Sequence, residues 1–125
     1  MTRLAHARIE RAIVAAEAGT TGHVVVRVVP GTDVEAMECA RDEFERVGLH
    51  KVKERNVALV LVAPNARTYA VLGDKALHER VGDRFWNDVV AEMKPYFARN
   101  DPTGAVVTAV ERIGVELRKH FPAAA

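Results

Sequence analysis

RNVALVLVAPNARTYAVLGDKALHERVGDRFW, residues 55 to 86, is the stretch that decides the fold of this chain. Val57 to Ala63 is an unbroken apolar run, well short of the ~20 residues a membrane helix needs and long enough for a buried strand. Pro64-Asn65-Ala66 supplies turn chemistry, and Thr68 to Leu72 reads as a second strand, so the two form a hairpin. Gly73-Asp74 ends it. Asp74, His78, Glu79 and Asp83 then follow closely at a strand-to-helix junction. Carboxylate and imidazole groups gathered where strands end and helices begin mark the places where α/β proteins keep their sites.

Clean punctuation surrounds this hairpin. A first helix is predicted over Thr2 to Ala18, with Ala5, Ile9, Ala12, Ile13 and Ala16 on one stripe and Gly19 as its stop. Thr20-Thr21-Gly22 turns into a strand, His23 to Val29, broken by Pro30-Gly31. Thr32-x-x-Glu35 matches a capping box, and Met37, Ala40, Phe44 and Val47 form the stripe of a helix that Gly48 ends. After the hairpin, a short helix is predicted over Lys75 to Val81. Asp83 then caps a longer one with Trp86, Val89, Val90, Met93 and Phe97 on its apolar face, and Pro95 kinks or ends its last turn. Asp101 as N-cap with Pro102 behind it opens the last helix, which carries Val106, Val110, Ile113 and Leu117. No repeat or linker interrupts the series, so residues 1–125 are expected to form one domain.

The strands set the architecture. VVVRVV and VALVLVA are apolar on both faces, so helices must cover both sides of the sheet. The helix between them is a crossover, which makes these strands parallel, and the hairpin adds the third antiparallel. The expected fold is α/β: a three-layer α/β/α sandwich with a small mixed β-sheet of strand order 1-2-3. Strand three ends where strands one and two begin. Gly22-His23, Arg55-Asn56 and Asp74 should therefore converge, with His78 one helical turn beyond Asp74.

Composition excludes several classes. Lys and Arg nearly balance Asp and Glu, giving a formal charge of +1 with no like-charge block, which argues against nucleic acid as a partner. No apolar run spans a bilayer, and the first residues lack the pattern of a secretory signal, so the chain as given reads as cytoplasmic and not inserted in a membrane. The single cysteine, Cys39, sits among Ala36, Met37 and Ala40 and reads as a small near-core residue.

Each candidate group has a plain role beside a chemical one. Asp74 and Asp83 at helix N-termini serve as caps; as hard oxygen donors they would instead hold Ca²⁺ or Mg²⁺, joined around Ca²⁺ by Asn56, with Asp101 a remoter donor. No DxDxDG spacing supports a calcium loop, and no HExxH or paired cysteines support zinc. His78 is expected to hydrogen-bond Asp74 on the helix surface. Lys51, Lys53 and Arg55 form a solvated basic loop whose alternative role is to hold a phosphate. A GxSxG elbow, a Walker loop and GxGxxG are all absent.

Arg55-Asn56 before an apolar strand, the hairpin with Arg67, Gly73 opening a helix, and PYFARNDPTGAVVTAV (95 to 110) together resemble the TPM domain. The resemblance runs from the helix before Thr21-Gly22 nearly to the end of the chain. It implies an α/β/α unit of a family found in bacterial membrane-anchored proteins and in the thylakoid lumen. Relatives have been linked to upkeep of membrane complexes, to calcium binding and to acid phosphatase activity. This chain departs from the pattern in lacking a signal peptide and a membrane tail. His23 stands where an acid often follows the glycine, and Gly73-Asp74-Lys75 replaces a longer Gly-Tyr-Gly-Leu-Glu turn, which suits a shorter, soluble branch. Because the sequence shows neither a nucleophile in a recognisable loop nor a complete metal cage, the expected function is a non-catalytic binding or assembly module that presents the sheet edge to a protein partner, such as a membrane complex, with weak Ca²⁺ binding there. The alternative the resemblance carries is a phosphomonoester hydrolase in which Arg55 and His78 supply charge and a proton.

Overall fold

All seven residues of Val57–Ala63 are buried, and that single fact requires two helical layers. The structure, a computed structural model, describes residues 4–30, 35–64 and 67–124. Along the chain these form α1 (His6–Glu17), β1 (His23–Val28), α2 (Ala36–Arg46), a 3₁₀ turn (Leu49–Lys51), β2 (Val57–Ala63), β3 (Thr68–Gly73), α3 (Lys75–Ala98) and α4 (Pro102–His120). β1 pairs parallel with β2, and β3 pairs antiparallel with β2 on its other side, so the order is β1-β2-β3 as the sequence predicts.

The pleat sorts β2 between two cores. Ala58, Val60 and Val62 face α1, α3 and α4, among Ile9, Trp86, Met93, Val106, Val110 and Leu117. Val57, Leu59 and Leu61 face α2, among Ala40, Phe44 and Leu72. The chain is therefore the expected three-layer α/β/α sandwich. The predicted stripe of α4 is wholly buried, and Val90 and Phe97 of α3 pack at the margin of the same core.

Local differences have local causes. Thr2, where the first helix was expected to begin, lies outside the described residues; within them α1 opens at His6, and the Ala5 N–H is held by Thr103 Oγ1 of α4 at 2.9 Å. Thr32 and Gly31 also lie outside, and it is Glu35 that caps α2, accepting from the Met37 and Glu38 amides at 3.1 Å each. The Asn65-Ala66 turn is likewise outside, while the Arg67 amide donates to the Pro64 carbonyl at 3.1 Å. The short helix and its longer successor form one element broken at Gly82, whose φ of 74° is a conformation glycine adopts freely. Pro95 lies in the last turn of α3, which ends three residues later at Ala98.

PYFARNDPTG makes a tight helix–helix corner. Asn100 turns the chain with φ 58°, the Asp101 amide returns to the Tyr96 carbonyl at 2.8 Å, and Asp101 Oδ1 accepts from the Gly104 amide at 3.0 Å. Phe97 stacks on Tyr69 with ring centroids 4.2 Å apart, tying the corner to the start of β3.

Candidate functional site

The sheet has one polar end, reached by the starts of β1 and β2 and the finish of β3, with His23 opposite Val57 and Ala58 opposite Gly73. Asp74 continues the ladder by donating its amide to the Val57 carbonyl at 2.9 Å. Its side chain, 7% exposed, is fully engaged: Oδ2 accepts from Arg55 Nε at 2.5 Å, and Oδ1 accepts from Arg55 Nη2 and the Lys75 amide, both at 2.8 Å. Arg55 sits in the left-handed region with φ 53°, which orients its carbonyl to accept from the Ala76 and Leu77 amides at 3.1 and 3.3 Å. The first amides of α3 are thus satisfied by two residues that also bind each other. Burial alone pushes the Asp74 carboxyl up. The Arg55 hydrogen bonds, the Lys75 amide and the charges of Arg55 and His50 outweigh it and hold the group below the usual carboxylate value.

Asn56 is completely buried beside this pair. Its Nδ2 donates to Thr21 Oγ1 at 3.1 Å and its carbonyl accepts from the His23 amide at 3.4 Å, while its Oδ1 finds no partner among the described residues. Gly22 is required here, because a Cβ would stand 2.5 Å from Leu117 Cδ2 and 3.0 Å from the Asn56 carbonyl oxygen. The His23 ring is half exposed, with Nδ1 3.6 Å from the Glu17 carboxylate that caps the Val24 amide at 2.9 Å. Gly22, His23, Arg55, Asn56 and Asp74 converge as expected.

His78 does not join them. Its Nδ1 accepts from Trp86 Nε1 at 3.1 Å and its Nε2 lies 3.3 Å from Asp83 Oδ1, which makes the neutral ring the Nε2–H tautomer. The expected side-chain bond to Asp74 does not form: the His78 amide donates to the Asp74 carbonyl at 2.8 Å, but the N-cap carboxylate turns to Arg55 and the Lys75 amide. Asp83 was expected to cap the segment after Gly82. Its side chain, 89% exposed, turns to His78, and no described backbone amide donates to it. Asp101 caps α4 at the far end of α3, away from the cluster.

Of the oxygen donors considered for Ca²⁺, Asp74 and Asn56 share this end of the sheet, while the Asp83 side chain lies beside His78. Among the described residues no three His, Cys, Asp or Glu side chains gather closely enough to hold an ion, and the Asp74 oxygens already serve a guanidinium and an amide. His50, whose Nδ1 is buried and has no hydrogen-bond partner among the described residues, and Thr21 are members of the neighbourhood that no sequence motif marks. Sequence reasoning missed a groove of about 410 Å³ between α2 and α3 along β3, lined by Met37, Arg41, Leu72, Gly73, His78 and Trp86. No local motif announces such a groove, because its walls come from elements far apart in sequence.

The architecture is shared with solved structures. The BA42 protein of the psychrophilic bacterium Bizionia argentinensis is 27% identical, with TM-score 0.85 over 97% of this chain and 86% of its own. The N-terminal domain of the cg2496 protein of Corynebacterium glutamicum is 17% identical, with TM-score 0.71 over 94% and 74%. An N-terminal domain from P. gingivalis is 14% identical, with TM-score 0.80 over 98% and 83%. These last two likenesses speak for the fold alone. Among curated proteins, none matches the sequence. The family model for the TPM domain matches residues 1–116, and with the α/β/α sandwich and its Arg55–Asp74 end in place, the chain belongs to the TPM domain family.

Proposed function

We propose that this TPM domain is a non-catalytic binding or assembly module that presents its sheet to a protein partner. The observation that carries this reading is the engagement of Asp74, Arg55 and His78, the groups that phosphoryl or acid–base chemistry would use. Asp74 is held by Arg55 and the Lys75 amide, Arg55 caps α3 with its carbonyl, and both nitrogens of His78 are occupied by Trp86 and Asp83. Phosphoryl transfer needs a nucleophile or a metal-bound water, plus cationic groups free to clamp the phosphoryl oxygens. Arg55, which stands at this end of the sheet, is already paired with a carboxylate. A divalent cation at this end has to displace that guanidinium, so its affinity falls in the weak range, about 10⁻⁴ M or poorer.

Hydrolysis of p-nitrophenyl phosphate, with and without Mg²⁺ or Ca²⁺, tests the reading. No turnover above the buffer rate is expected. Turnover that disappears in both Asp74→Asn and His78→Ala, with folding intact by circular dichroism, overturns it in favour of a phosphatase.

A further inference from the structure

β3 is an edge strand, and its register dictates which backbone groups its one neighbour uses. The bond from the Asp74 amide to the Val57 carbonyl makes those residues a hydrogen-bonded pair. Such pairs alternate along an antiparallel ladder, so Leu72, Ala70 and Thr68 also direct their N–H and C=O toward β2. The backbone groups of Tyr69, Val71 and Gly73 point the other way. Val71 and Gly73 line the groove between α2 and α3, and no group of another described residue hydrogen-bonds their outward amides and carbonyls. Val71 is only 1% exposed, so its outward donor and acceptor are screened from water too. Buried backbone groups left without partners are rare, because each forfeits the hydrogen bond it makes in water. The strand TYAVLG also has no charge and no proline, the devices that normally protect an edge.

We propose that this groove binds an extended peptide segment, alternating acidic and aliphatic residues, which adds to β3 as a fourth strand. The inference rests on the binding-module reading and names its site and the class of its partner. The outward groups of Val71 and Gly73 require a ligand that offers N–H and C=O at strand spacing, which a peptide backbone does. The pleat assigns its side chains. Leu72 shares a core with Met37 of α2, whereas Val71 shares one with Trp86 of α3, whose ring lies over Gly73. An added strand continues this alternation. Toward α2 its side chains meet Arg41, which is exposed and makes no ion pair among the described residues, so an acid fits there. Toward α3 they meet the Trp86 ring, where an aliphatic group fits and the nearby Asp83 repels an acid. The groove volume of about 410 Å³ lies within the ordinary range for ligand sites. Entry requires the flexible Met37 and Arg41 side chains that line the groove to move aside.

The probe is the acetylated, amidated pentapeptide Val-Glu-Val-Glu-Val, titrated into the ¹⁵N-labelled chain and followed by amide shifts and hydrogen exchange. Saturating probe should slow exchange at Val71 and Gly73 by about tenfold or more, with little change at Ala70 and Leu72, which are already in the ladder. N-methylating alternate residues of the probe should abolish binding in one register and spare it in the other. Arg41→Glu, an exposed change that leaves the core intact, should weaken binding about fivefold or more, as should replacing both probe glutamates by lysine. Unchanged exchange at Val71 and Gly73 in millimolar probe overturns the proposal. Protection of these amides that rises with chain concentration also overturns it, because the occupant is then a second copy. Shifts centred on Arg55, Asn56 and Asp74 remove the β3 site but leave the binding-module reading standing. Turnover of a phosphate ester removes that reading itself.

Discussion

Replacing Leu117 by alanine probes the join between α4 and the polar end of the sheet. Leu117 is fully buried, and its Cδ atoms lie 2.5 and 3.2 Å from the position a Cβ on Gly22 would take. Truncation removes buried carbons and leaves a cavity beneath Gly22, for which the expected loss is about 2–5 kcal/mol. For a chain of this length that lowers the melting temperature by roughly 3–6 °C per kcal/mol. Gly22→Ala alone should also destabilise, by about 1–3 kcal/mol, because the new methyl collides with Leu117 Cδ2. The two changes are complementary: the alanine methyl at 22 occupies space that Leu117→Ala vacates. The double variant should therefore be more stable than the sum of the single losses predicts, by about 0.5–3 kcal/mol. Full relief is not expected, since the Asn56 carbonyl oxygen still stands 3.0 Å from that methyl. Urea unfolding of the four proteins, with matched m-values, gives the coupling directly. Additivity within about 0.3 kcal/mol would show that Leu117 does not pack against Gly22 and would refute the reasoning.

Two further predictions concern the site. His78→Ala leaves the indole N–H of the buried Trp86 without its acceptor, so stability should fall by about 1–3 kcal/mol and tryptophan emission should shift; an unchanged melting curve and spectrum would mean the Trp86–His78 bond is not formed in solution. Titration calorimetry with Ca²⁺ should give a dissociation constant of about 10⁻⁴ M or weaker for both the native chain and His23→Glu, whose new carboxylate would stand beside Glu17, and a micromolar constant in either would expose a more complete cage than the donor set supplies.

Much of the fold was legible because it rests on few physical requirements. An all-apolar Val57–Ala63 has to be covered on both faces, a helix between two strands makes them parallel, and a hairpin makes the third antiparallel. Those directions also place Gly22, Arg55, Asn56 and Asp74 at one end. Their partners were less legible. Asp74 takes the side chain of Arg55 across the sheet rather than that of His78 one turn on, because an extended N-cap aims its carboxylate outside the helical repeat. The left-handed turn at Arg55 carries no glycine to announce it. The break at Gly82 regroups His78 with Asp83 and Trp86, a set that a single uninterrupted periodicity would not select. Met37 and Arg41 acquire their place beside β3 only when α2 and α3 settle on opposite faces of the sheet.

At the polar end of the sheet, Asp74 is committed to Arg55 and to the first turn of α3. A native carboxyl held below its unfolded value adds stability that is present above about pH 3.9 and is lost as the pH falls through the native value. The direct measurement is the ¹³C-detected pH titration of the Asp74 carboxyl in the folded chain, alone and with about 1 mM Ca²⁺. The expected midpoint lies below the ordinary carboxylate value, is unmoved by calcium and rises in Arg55→Ala, where burial acts unopposed by the guanidinium. A midpoint at or above the ordinary value, or one that calcium drives lower, would contradict that commitment.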